Sequence, residues 1–156
     1  MELTPWNIIS CSATILFIVP VILFIQTGNL HEIGHLITLL GVMFGAEGIK
    51  RYVTGNEEPE YRRPAAARDC DMWCMNGPQG GQPGMPSGHM AVTTAFVTLY
   101  WPKSGNPPEL AVALVIYVLI MAAARWTKSC HTIAQIIAGS ILGGIAGSIY
   151  RAVIEN

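Results

Sequence analysis

Charge is scarce in this chain. Asp, Glu, Lys and Arg make up 12% of its 156 residues, where an ordinary soluble domain carries roughly a quarter. The shortage comes in blocks, with no charged side chain from Leu3 to Leu30, from Leu110 to Ala124, or from Thr132 to Tyr150. Blocks of that kind exclude an ordinary soluble domain and mark an integral membrane protein. A basic surface is missing too: the net charge is −1, and the basic residues gather around one loop and one turn, so no nucleic-acid partner is expected. No basic stretch precedes the first apolar run, and it ends in Gln26-Thr27-Gly28 rather than a small-x-small site. It therefore reads as a retained span and not as a cleaved leader. Four cysteines are too few to define a framework. Free thiols are expected, with a Cys70–Cys74 bridge, or one from that pair to Cys130, as the alternative in an oxidising compartment.

What is present is an all-α pattern, a multi-pass membrane helix bundle in a single domain over 1–156. Five spans are expected, at about 7–26, 31–49, 88–101, 109–125 and 132–153. Pro20 would kink the first. The second is the weakest, because its uncharged stretch runs only from Ile33 to Ala46. A tight turn is expected at Lys103-Ser104-Gly105-Asn106-Pro107-Pro108. In the last span Gly139, Gly143 and Gly147 recur every four residues, so they share one face and permit close helix packing. Residues 50–87 form a polar segment rich in Pro and Gly, longer than a mere connection needs. Its Glu57, Glu58 and Glu60 read as a solvated acidic run, and Asp69, Cys70, Asp71 and Cys74 as a solvated loop rather than a metal clip.

The polar segment ends in Gly84-Met85-Pro86-Ser87-Gly88-His89-Met90, where loop gives way to helix. Such a junction offers free backbone N–H groups and the positive end of a helix dipole, which suits a phosphate. Arg63, Ser87, Arg125 and the backbone near Gly88 are donors fit for a phosphate dianion. His89 and His131 titrate near neutrality, so one can attack phosphorus while the other protonates the leaving oxygen. That chemistry needs neither a metal nor another cofactor. Two crossings separate His89 from His131, which returns both to one membrane face, and Arg63 shares it through the non-spanning loop.

These residues resemble the type 2 phosphatidic acid phosphatase superfamily, whose signature runs K-x6-R-P, then P-S-G-H, then S-R-x5-H-x3-D. Arg63-Pro64 matches the end of the first motif, Pro86-Ser87-Gly88-His89 the whole of the second, and Arg125 to His131 the R-x5-H of the third. The resemblance implies that His131 is the nucleophile forming a phosphohistidine and His89 the general acid, with Arg63, Ser87, Gly88 and Arg125 holding the phosphate. Three positions depart from the pattern. Asn56 stands where the first-motif Lys falls, leaving Lys50 or Arg51 to serve if the loop carries an insertion. Ala124 replaces the Ser, and Gln135 replaces the Asp that would orient the imidazole. Gln135 together with Gly84-Met85-Pro86-Ser87 is similar to the dolichyl-diphosphatase branch. The resemblance implies a lipid phosphate or diphosphate substrate, most plausibly polyprenyl or dolichyl diphosphate. It also implies a site on the luminal or extracytoplasmic face of an endoplasmic-reticulum-type or plasma membrane.

Two other functions compete. A non-catalytic membrane structural or assembly protein on a phosphatase-like scaffold would account for Asn56 and Gln135. An intramembrane zinc protease would use His31-Glu32-Ile33-Gly34-His35, with two imidazoles one helical turn apart and a Glu between them. Catalytic zinc needs a third protein ligand, and no Asp follows Asp71 to supply it in the expected pattern.

Overall fold

The computed structural model describes residues 4–102 and 107–154; the centre of the turn expected at 103–106 lies outside them. The described residues form α1 (Pro5–Ser12), α2 (Ile15–Thr27), α3 (Leu30–Ile49), α4 (Gly88–Leu99), α5 (Pro108–Thr127) and α6 (Ile133–Val153), and no strand. The multi-pass helical architecture is as expected, but the number of spans is not. Leu30–Thr54, Pro108–Thr127 and Ile133–Val153 are long and apolar enough to cross a membrane, and α1 with α2 would make a fourth if their 43° bend is one broken span. The chain is an integral membrane protein, and among the described residues three or four spans qualify by length and composition, where five were expected.

The difference falls on α4, which runs alongside α3 from near Lys50 to Tyr100 beside Glu32 but is short. Its 12 residues reach about 18 Å at 1.5 Å per residue, well short of a hydrocarbon core of about 30 Å. Its apolar side chains face protein instead: Met90, Ala91, Val92, Ala95, Phe96, Val97 and Leu99 are all buried beneath α3, α5 and α6. A helix apolar on every side is either a lipid-facing span or the centre of a bundle, and α4 is the centre. Its closest partner is α6, and the glycine stripe explains why. A Cβ on Gly139 would run into the Ser87 carbonyl, and one on Gly143 into that of Ala91. One on Gly147 would lie 2.8 Å from Thr98 Cβ. Thr94 Oγ1 then donates across the contact to Ser140 O at 3.1 Å.

Two further expectations shift. The first apolar run breaks between Ser12 and Ile15, while Pro20 sits buried inside a continuous α2. Ser12 Oγ donates to Ile9 O (2.6 Å) and Thr14 Oγ1 to Cys11 O (2.7 Å); such local side-chain bonds compete with the helical ladder and bend it. The polar segment also starts later than 50, because α3 runs on through a π-helical turn at Lys50–Thr54.

The end of the bundle where α3 begins and where α4 and α6 finish holds the His-Glu-x-x-His stretch. Glu32 accepts from the Tyr100 hydroxyl and pairs with His35 Nδ1 at 3.3 Å. His35 lies edge-on to the rings of Tyr100 and Tyr150. A Cβ on Gly34 would overlap the Tyr150 ring, so the glycine is what admits that ring. The stretch ties α3, α4 and α6 together. No group of three or more His, Cys, Asp or Glu able to hold a metal occurs among the described residues.

Candidate active site

At the other end, residues 55–87 fold back over the α5–α6 turn. Arg63 N donates to Gln82 O (2.8 Å), Gly81 N to Arg63 O (3.1 Å) and Gly84 N to Tyr61 O (2.7 Å), closing the loop into a hairpin-like strap. The Asp71 carboxylate caps the amides of Trp73, Met75 and Asn76, while Glu57, Glu58 and Glu60 are exposed. A disulfide joins Cys70 to Cys130 with Cα atoms 5.5 Å apart. This corrects the expectation of free thiols, which holds for Cys11 and Cys74 only. Sixty positions separate the bonded pair, and only the folding of the strap onto the turn brings them together.

Under the strap lies a cavity of about 480 Å³ lined by Lys50, Arg63, Gly88, His89 and His131 among others. The sequence placed all of these but Lys50 on one membrane face, and the structure gathers the five around one space. Ser87 caps α4, its Oγ accepting from Met90 N at 3.5 Å, so the N-terminus of α4 opens toward the cavity beside Gly88. The Met85–Pro86 peptide before it is cis.

His131 is the best-defined member. Arg63 Nη1 lies 3.4 Å from its Nε2. A guanidinium can only donate, so Nε2 accepts and the ring proton resides on Nδ1. Nδ1–H then donates to Gln135 Oε1 at 3.1 Å. The amide is itself clamped, since its Nε2 donates to Glu60 O (3.0 Å) and Arg62 O (2.7 Å) and its Oε1 also accepts from Thr132 N (3.3 Å). Thr132 and Gln135 form a capping box at the start of α6, in which each side chain satisfies the other's backbone N–H. Gln135 thus fixes the imidazole without adding charge, and His131 Nε2 stands unprotonated at the cavity wall with its lone pair toward Arg63 Nη1. Burial, together with the positive Arg125, Arg63 and Lys50, holds this imidazole well below its ordinary pKa, so it stays neutral at neutral pH and in mild acid.

The cations around the cavity outnumber their counter-charges. Lys50 is buried and pairs with Glu47 at 3.1 Å; its Nζ lies 3.5 Å from where a Cβ on Gly88 would stand. Lys50 therefore reaches the signature loop from thirteen positions before Arg63, whereas Arg51 is largely exposed. Among the described residues neither Arg63 nor Arg125 makes an ion pair. Arg63 Nη1 donates to Cys130 O at 3.3 Å. Arg125, fully buried, donates from Nη1 to Ser10 Oγ (3.0 Å) and from Nη2 to Cys70 O (2.7 Å). It stands behind the cavity wall rather than in it, unlike the direct contact expected from sequence. Arg63 Nε, Arg125 Nε and His89 Nε2 are buried without a partner. Unmatched donors and uncompensated cations around one space are costly, and an anionic ligand would satisfy them.

Residues 31–156 match the PAP2 superfamily. The chain belongs to that superfamily. Neither curated proteins nor solved structures give a further match. Members of the superfamily are generally phosphatases, so membership points to hydrolysis of phosphate esters. The matched residues hold every PAP2 motif position named above, and residues 1–30 fall outside the match. Sequence reasoning missed two contributors to the PAP2 site. The capping box was legible as Thr-x-x-Gln before an apolar run. Ser10, one of three hydroxyls with Ser12 and Thr14 in an apolar stretch, carries no pattern that would have marked it.

Proposed function

We propose that the protein hydrolyses a lipid phosphate or diphosphate, of the polyprenyl or dolichyl diphosphate class, through a phosphohistidine. The observation that carries this reading is the neutral His131 Nε2 at a cavity where Lys50, Arg51 and Arg63, with Arg125 behind the wall, outnumber the lining carboxylates Glu47 and Asp71. In the first step Nε2 attacks phosphorus, the N–P bond forms, and the P–O bond to the leaving group breaks. Burial and the neighbouring cations disfavour the charged form of His89; the bound phosphate anion offsets those charges, so His89 takes up a proton on binding and gives it to the departing oxygen. In the second step a water, deprotonated by His89, attacks phosphorus; the N–P bond breaks, phosphate leaves and both imidazoles return to their starting states. Lys50, Arg63 and the α4 N-terminus hold the phosphoryl oxygens, Arg125 adds positive charge from behind, and Gln135 holds the attacking ring. No step calls for a metal.

A lipid substrate is supported by Met43 and Phe44, which line the same cavity from within a candidate span; Phe44 is exposed on that span. An extracytoplasmic or luminal site is supported by the disulfide in its strap, since such bonds persist in oxidising compartments. The test is phosphate release from a panel of lipid mono- and diphosphates by purified protein, wild type against His131→Ala, with and without chelator. Release that stops in the variant and persists with chelator is expected. Equal turnover by His131→Ala would overturn the mechanism, and no release from any lipid phosphate would favour a non-catalytic role.

A further inference from the structure

The residue that anchors Arg125 lies outside the part of the chain that matches the superfamily. Helix α1 precedes that region, packs against α5, and buries Ser10 completely. Ser10 Oγ is the acceptor for Arg125 Nη1 at 3.0 Å, and the Cys70 carbonyl takes Nη2 at 2.7 Å. Two anchors on one edge fix the plane of a rigid guanidinium and leave Nε without a partner. Neither anchor carries a charge. A carboxylate in place of Ser10 would hold Arg125 as firmly but cancel the positive charge that now acts on His131. A hydroxyl orients the cation and leaves its field intact. The axis of α1 departs from that of α2 by 43°, and α1 lies against α5, the helix that carries Arg125.

We propose that Ser10 is a positioning residue for Arg125, and that α1 is thereby part of the phosphate site although it lies outside the PAP2 match. The inference rests on the phosphatase reading above. It is tested on the purified full chain with inorganic phosphate as the probe, by the phosphate concentration that half-protects against thermal unfolding, alongside kcat and KM for a lipid phosphate. Ser10→Ala is expected to weaken phosphate protection about tenfold, the equivalent of one lost hydrogen bond to a charged group, and to raise KM more than it lowers kcat. Ser10→Thr, which keeps the acceptor, should stay near wild type, and Ser10→Asp should lose phosphate protection while remaining folded. A Ser10→Ala protein with a lowered unfolding midpoint but wild-type phosphate affinity and KM would overturn the inference and leave Ser10 a packing residue. So would a Ser10→Asp protein that binds phosphate as well as wild type. If wild type releases no phosphate and gains no protection from it, the phosphatase reading falls and takes this one with it. If wild type does both and His131→Ala keeps only the protection, that reading stands and the Ser10 variants decide.

Discussion

The two ends of the bundle each hold a pair of histidines, and they use them in opposite ways. At the far end His35 is enclosed by Glu32, Tyr100 and Tyr150, so its polar edge is answered by protein. At the site end His89 Nε2, Arg63 Nε and Arg125 Nε are buried and unanswered, and the cations outnumber the carboxylates that meet them. The first arrangement is complete without a ligand, and the second is not. A buried polar group left unmatched lowers stability, so a fold that keeps several around one cavity holds them for something that enters it. The more suggestive motif in the sequence, His-Glu-x-x-His, belongs to the completed end.

The contrast can be broken most sharply at His131. Replacing it with Ala should lower phosphate release on the order of 10³-fold or more while the unfolding midpoint stays within a few degrees of wild type. A variant that unfolds but, where folded, still turns over would assign His131 to structure. Next in size is the strap. Cys70→Ser or Cys130→Ser should cost about 2–5 kcal/mol and also lower kcat/KM. Both effects are expected because the carbonyls of the two bonded cysteines hold Arg125 and Arg63. Wild-type activity in both cysteine variants would detach the bridge from the site.

At the far end Glu32→Ala should lower stability by about 1–3 kcal/mol, since Tyr100 and His35 lose their shared acceptor, with kcat and KM per folded molecule unchanged. Loss of turnover at constant stability would give that end a functional role and erase the contrast. The smallest effect is electrostatic. Burial and the neighbouring cations disfavour protonation of His131, so removing one cation must raise its pKa toward the ordinary value. Arg63→Gln should therefore move the acid limb of the kcat/KM–pH profile to higher pH, whatever it does to the rate. A limb that stays in place or moves lower would mean that another group sets it.

Much of the site was legible because its chemistry is concentrated in short motifs. Ser87, His89, Arg125 and His131 sit at fixed local spacings, and crossing parity alone put them on one face. Lys50 was marked only loosely, because the chain between it and Arg63 is longer than the superfamily pattern and spacing loses meaning across an insertion. The disulfide could not be read from positions sixty apart, since loop closure depends on how the strap folds. Helix α4 is shorter than the span expected over 88–101 and its apolar side chains meet protein, a neighbour that hydropathy cannot tell from lipid. The break at Ser12–Ile15 depended on hydroxyls bonding back to their own helix, a local competition that favours Ser and Thr over the more conspicuous Pro20.

Gly139, Gly143 and Gly147 set more than the packing of two helices. His89 stands at the start of α4, and His131 just before α6, so the spacing of the proposed acid and nucleophile follows the gap between those two helix axes. With no side chain between them, that gap is one backbone resting on another, the shortest spacing a pair of helices allows. The stripe works as a gauge: it sets the width of the candidate site from about two to four turns along α6, without any of its members lining the cavity.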